Sequence, residues 1–99
     1  MNLVIDDCKD FGGDIIARNA SAGKAVLKAL SNVITTTYID FDLGSNETGA
    51  DVVEWAIQNN CLPKEVQIIS MNPPGRKILE GLLVDAGYQK QVDGHFIQQ

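Results

Sequence analysis

Apolar residues along the chain fall into two alternating kinds of run. Short, β-prone and mostly apolar stretches, Met1–Ile5, Val33–Ile39 and Val66–Ser70, read as strands. Between them lie helical stripes: Ala22, Ala25, Val26, Ala29 and Leu30 within Ser21–Leu30; Val52, Val53, Ala56 and Ile57, with Trp55 offset and partly exposed; and Ile78, Leu79, Leu82, Leu83 and Ala86. The boundaries agree. Asn19 or Ser21 caps the first helix, Thr48 with Asp51 makes a capping-box variant before the second, and Asn72 with Pro73 opens the third, which Gly87 ends. Met1–Ile5 alternates too little to be half-exposed, so a central strand covered on both faces is expected. Ile15–Arg18 reads as a brief second strand. Its linker is shorter than the dozen or so residues of a parallel crossover, so it is either an edge strand reached by an extended loop or not parallel. Tyr88–Val92 and His95–Gln98 flank Asp93-Gly94, the pattern of a hairpin with a two-residue turn.

The order strand, short strand, helix, strand, helix, strand, helix, hairpin predicts an α/β layered fold with a mostly parallel sheet. A length of 99 residues supports a single domain, and 44% hydrophobic with 21% charged residues is ordinary globular usage, which excludes disorder and coiled coil. The net charge of -5 argues against double-stranded DNA or a membrane surface as partner, both of which need a basic face. A small phosphorylated ligand held by local cations remains compatible with it. No apolar run approaches the roughly 20 residues of a membrane span. The cysteines, Cys8 and Cys61, lack metal-ligand spacing and the chain starts without a signal peptide, so a reducing cytoplasm is the expected compartment. Cys8 reads as a small apolar filler rather than a reactive thiol.

Candidate chemistry collects at the strand ends. The first strand runs into Asp6-Asp7; the next long one ends in Asp40 and Asp42 ahead of the glycine-bounded loop Gly44–Gly49; the third ends in Ser70 and Asn72. In an open parallel sheet the ligand crevice lies outside the carboxyl ends of the strands. Carboxylates meeting there repel one another unless a cation compensates, and Mg²⁺ or another hard divalent ion takes one or two carboxylates together with a phosphate. Taken singly, the same acids are also ordinary turn starters and caps. The third junction adds the free N–H groups of a helix N-terminus, suited to an anion, with Arg76 in the first turn as a clamp. Acids for a metal beside a phosphate cradle point to metal-assisted phosphoryl chemistry.

The acidic pair, the Asp at the end of the next central strand and the Ser ending the following one resemble the receiver fold of two-component response regulators. That resemblance implies a flavodoxin-like layered sheet with Asp40 at the phospho-acceptor position, Asp6 and Asp7 as the metal-binding pair, and Ser70 as the hydroxyl at the phosphoryl group. The chain departs from it in three ways: the first receiver helix is missing, no Lys-Pro follows the last strand, and a hairpin replaces the final helix. More closely, Ile5-Asp-Asp7, Asp40-Phe-Asp-Leu-Gly44, Glu47-Thr-Gly-Ala-Asp-Val-Val53 and Ser70-Met-Asn-Pro-Pro-Gly-Arg76 resemble the cyclic-phosphate-processing receiver-like family of bacteria and phages. This implies a metal-dependent phosphoesterase acting on, or binding, cyclic phosphates at RNA ends or in nucleotides. Asp6, Asp7 and Asp40 would hold the metal; Ser70, Asn72, Gly75 and Arg76 would bind the phosphate; Asp40, Asp42 and Ser70 would carry the chemistry. The expected partner is a phosphorylated small molecule or RNA end. The rival expectation is a non-catalytic receiver-like module that accepts a phosphoryl group on Asp40 or binds a phosphorylated partner. In the family pattern a His often precedes the Ser; here Ile69 stands there, leaving His95, the sole histidine, as a substitute general acid or a plain surface residue.

Overall fold

Strand β1 (Asn2–Ile5) occupies an interior position, with Leu3, Val4 and Ile5 all fully buried. In the computed structural model, which describes residues 1–99, it is followed by β2 (Ile15–Ala17), α1 (Ala20–Leu30), β3 (Thr36–Ile39), α2 (Gly49–Gln58), β4 (Glu65–Ile68), α3 (Pro73–Asp85), β5 (Tyr88–Lys90) and β6 (His95–Gln98). The six strands form one sheet in the order β2-β1-β3-β4-β6-β5. The first four are parallel, with Ile5, Ile39 and Ile68 level with one another; β6 runs antiparallel to both β4 and β5. The mixed, mostly parallel sheet with a closing strand pair is the expected layered α/β architecture.

The two readings left open for Ile15–Arg18 resolve to a short parallel edge strand. Its approach loop is pinned at the base, where the Asn2 and Asp14 backbones are tied: Asn2 N–H donates to Asp14 Oδ2 at 2.7 Å and Asp14 N–H to the Asn2 carbonyl at 3.0 Å. The strand expected from Val33 starts only at Thr36, because the N–H groups of Val33 and Ile34 both turn back to the Leu30 carbonyl and continue the helix exit. The closing turn also differs. His95 N–H donates to the Val92 carbonyl around Asp93-Gly94, but Gln91 N–H donates to the His95 carbonyl as well, so two residues oppose one and a bulge replaces the tight two-residue hairpin.

All three helices pack on the sheet face that carries Leu3, Ile5, Ile39, Val66, Ile68 and Phe96, and these form one core with Leu27, Val52, Val53, Ala56, Leu79 and Leu83. The second and third helical stripes fall largely where the periodicity places them, with Ile57, Leu82 and Ala86 partly buried and Ile78 half-exposed. The first is rotated. Ala20, Gly23 and Leu27 face inward while Ala25 and Ala29 are exposed. Gly23 explains this: a Cβ there would meet the Ile5 side chain at 2.9 Å, so the glycine lets α1 lie directly on β1. The opposite sheet face has no helix. Gly13 of the β1–β2 loop packs on Val4, and Phe11 of the same loop stacks on Tyr38.

Tyr88 closes the far end of the core. Its hydroxyl donates to the Pro63 carbonyl at 2.6 Å, and burial pushes its pKa from 10.0 up to about 12. Because the fold prefers the neutral phenol, the stability it contributes is complete below the ordinary value and is lost as pH rises through about 12. Alkaline denaturation followed by circular dichroism should therefore show stability falling across that window. Tyr88→Phe should cost about 1–3 kcal/mol at neutral pH, by leaving a buried carbonyl unpaired, and should remove that part of the alkaline loss.

Candidate active site

The level register of β1, β3 and β4 brings three chain reversals side by side. Backbone pairing continues one residue past the strands: Asp6 N–H donates to the Ala17 carbonyl, Asp40 N–H to Ile5 and Ile69 N–H to Ile39, at 3.0–3.1 Å. The residues that follow line a cleft of about 320 Å³, formed by Asp6, Asp7, Cys8, Lys9, Asp40, Asp42, Ile69, Met71 and Asn72.

Asp6 is buried, and its Oδ1 accepts the N–H groups of Cys8 and Lys9 at 2.8 and 2.9 Å. That local turn fixes the carboxylate, while the Arg18 guanidinium holds the same turn from outside by donating to the Lys9 and Asp6 carbonyls. Asp7 is exposed and Asp40 partly buried; one carboxylate oxygen from each of Asp6, Asp7 and Asp40 lies within 4.8 Å of the others. Burial, and then the Asp6 charge, push the Asp40 pKa above its ordinary 3.8, opposed by the Phe41 and Asp42 N–H groups and the Ser70 hydroxyl. Three converging hard oxygen donors, one of them held in an unfavourable ionised state by its neighbours, fit a divalent cation of the Mg²⁺ type, with coordination positions to spare for water and phosphate.

The Asp40-Phe41-Asp42 turn is held by two helix N-termini. A Cβ at Gly49, the first residue of α2, would run into the Asp40 carbonyl oxygen, and one at Gly75, in the first turn of α3, would run into the Phe41 ring. Gly49 N–H donates to the Phe41 carbonyl at 2.8 Å. At α2 the expected capping box is present, with Thr48 N–H donating to Asp51 Oδ2 at 2.7 Å. The third junction forms a relay: Asn72 N–H donates to Ser70 Oγ at 3.1 Å, Asn72 Oδ1 accepts the Gly75 N–H as helix cap, and Asn72 Nδ2 donates to Asp42 Oδ2 at 3.1 Å. Ser70 is 1% exposed and reaches Asp40 from beneath.

The structure thus brings together Asp6, Asp7, Asp40, Asp42, Ser70 and Asn72. Gly75 is buried and its N–H is already engaged by the cap. Arg76 turns away: its guanidinium donates to the Ile68 and Ser70 carbonyls and to Asp93 at 3.1 Å, tying the closing hairpin to the end of β4, and it does not line the cleft. His95 sits 3.9 Å from Glu65, also outside the lining. Cys8 is exposed on the cleft wall rather than an apolar filler, because the Asp6-centred turn carries it out of the core. Lys9, the one basic residue of the lining, escaped the sequence reading; its place follows from that same turn, signalled only by its position three residues after Asp6.

Acids converging at the carboxyl ends of a parallel sheet, with a buried serine beneath them, define a receiver-like domain. The chain belongs to the cyclic-phosphate processing receiver domain family, whose profile matches residues 1–85, from β1 to the end of α3. No curated protein gives a significant match.

Two measurements probe this geometry. Gly49→Ala and Gly75→Ala should each cost about 1–3 kcal/mol by overpacking the turn, seen as lowered thermal midpoints, even though alanine favours a helix. Asp40→Asn should raise the midpoint without divalent ion. The raised pKa means Asp40 contributes its stability below 3.8 and loses it as pH climbs through the folded value, and the amide abolishes that loss. An ion at 100 times its Kd should stabilise the wild type by about 2.7 kcal/mol. That gain should shrink in the variant, and should fade in the wild type as acid protonates Asp40.

Proposed function

We propose that the acidic cleft opens cyclic phosphates to monoesters with the help of a divalent cation held by Asp6, Asp7 and Asp40. The observation that supports this reading most is the meeting of those three carboxylates beside a fourth, Asp42, which lies at the rim and is oriented by Asn72. When bound, a Mg²⁺-type ion supplies a bound water of lowered pKa and polarises a phosphoryl oxygen.

The protein's own groups divide the remaining tasks. Ser70, fixed by the Asn72 N–H, hydrogen-bonds the Asp40 carboxylate from the buried side and so positions Asp40 for the cation and the ring phosphate. Asp42 is the carboxylate outside the trio and takes a proton from the attacking water. The water oxygen bonds to phosphorus, one ring P–O bond breaks, and the proton taken by Asp42 passes to the departing oxygen, leaving a monoester and the carboxylate restored. Lys9 is the cleft group placed to offset the dianionic product, a task the sequence assigns to Arg76. The substrate is a phosphorylated small molecule or an RNA end carrying a cyclic phosphate, a class that needs no basic face and so suits a net charge of -5.

Purified protein incubated with nucleoside 2′,3′-cyclic phosphates and Mg²⁺ or Mn²⁺ should release nucleoside monophosphates. Asp40→Asn and Asp42→Asn should each slow turnover by about 10²-fold or more, the scale of a lost general base. Absence of cation-dependent turnover, combined with an acid-stable, base-labile adduct on Asp40 after acetyl phosphate treatment, would assign the site to phosphoryl acceptance instead.

A further inference from the structure

Outside the acidic cleft, the least expected feature is Phe11. It is 53% exposed, yet it sits at φ 46° in the left-handed region, where a bulky L-residue is an outlier. The loop around it is firmly held: Gly12 N–H donates to Asp10 Oδ1, Gly13 N–H to the Asp10 carbonyl, Gly13 packs on Val4, and Arg18 grips the Lys9 carbonyl at 2.8 Å. The ring is therefore presented in one position, stacked on Tyr38 with centroids 6.5 Å apart and planes 9° from parallel. Backbone strain kept for a side chain that water still reaches points to use rather than packing.

Its location supplies the use. An open cleft lined by Cys8, Lys9, Asp10 and Phe11 shares Cys8 and Lys9 with the acidic cleft, so the two run into one another along the β1–β2 loop. Tyr38 lies on β3, two residues before Asp40, which follows the strand's end, about 7 Å along the chain direction. That is comparable with the reach from a ribose-bound phosphate to its base. The face is otherwise bare, because all three helices lie on the other side of the sheet. We infer that Phe11, backed by Tyr38, is a stacking platform for the nucleobase of a nucleotide whose cyclic phosphate occupies the acidic cleft. This rests on the cyclic-phosphate reading and narrows it to base-bearing substrates. Stacking on an exposed ring is tolerant of base identity, since every base offers a π-face.

The test compares cytidine 2′,3′-cyclic phosphate with glycerol 1,2-cyclic phosphate, the same five-membered phosphate without a base, by NMR titration of the full chain with Mg²⁺ in the Asp42→Asn background, where turnover is slowed and the cyclic ligands persist. The nucleotide should bind about 5- to 150-fold more tightly, the range of one base–aromatic stack, and should shift the ring protons of Phe11 and Tyr38 upfield. Phe11→Ala should collapse that ratio toward one, and Phe11→Trp should restore it. Phe11→Gly, which relaxes the positive φ, should keep the wild-type thermal midpoint or exceed it while losing the ratio, which separates recognition from folding. Equal affinities, with the Asp7 and Asn72 amides shifting and the rings silent, would overturn the platform and leave the cyclic-phosphate reading standing. If neither ligand moves those amides, the cyclic-phosphate reading falls and the platform falls with it.

Discussion

Three carboxylates that would rather separate are kept together at one edge of a sheet, and much of the molecule is arranged to keep them there. Asp6 and Asp40 present oxygens no more than 4.8 Å apart. Two like charges at that separation repel by roughly 3 kcal/mol at the effective dielectric of a protein surface, several times what an exposed ion pair returns. The opposing forces are backbone pairing beyond the strand ends, the turn that satisfies Asp6 with two N–H groups, and the close approach of two helix N-termini to the Asp40–Asp42 turn. None of these is itself a ligand contact. The stability held back in the raised Asp40 pKa is released when a proton or a cation arrives, so the site is tuned to positive charge before any substrate enters.

The layering decides where that site opens. From β2 to β3 and from β3 to β4 the chain steps the same way across the sheet, and with right-handed crossovers the intervening helices fall on one face. With no helix between β1 and β2, the other face is left to a short loop. That loop carries both Lys9, at the acids, and Phe11, at the sheet face. At the opposite flank the hairpin takes the place of a final strand–helix unit, and Arg76 fastens it to β4. Arg76, in the first turn of α3, thus has a structural job, holding Asp93 of the hairpin turn against the backbone at and just beyond the end of β4.

The acids, the capping residues and the strand-helix order were legible in the chain because each is written over a few neighbouring residues. Asp6-Asp7 and Asp40-x-Asp42 follow short β-prone runs, Thr48 with Asp51 and Asn72 with Pro73 satisfy helix N–H groups locally, and short apolar runs against 3.6-residue stripes separate strand from helix. Once the runs are parallel and in register, their ends have to meet. These features survive any rearrangement of distant side chains, and they carried the family resemblance.

Tertiary packing decided the rest. The inward face of α1 was set by Gly23 meeting Ile5, a choice an alanine-rich helix leaves nearly free because alanines weigh little on either side. The direction of Arg76 was set by carbonyls on β4 and a carboxylate in the hairpin turn, both distant in sequence, since a long flexible side chain goes where unpaired acceptors are. Lys9 reached the cleft, and Phe11 reached Tyr38, through one loop conformation that no periodicity marks. Local hydrogen bonding and hydrophobic period are encoded among neighbours and can be read from the chain alone. Which groups face one another across the sheet depends on surfaces that exist only once the chain has folded.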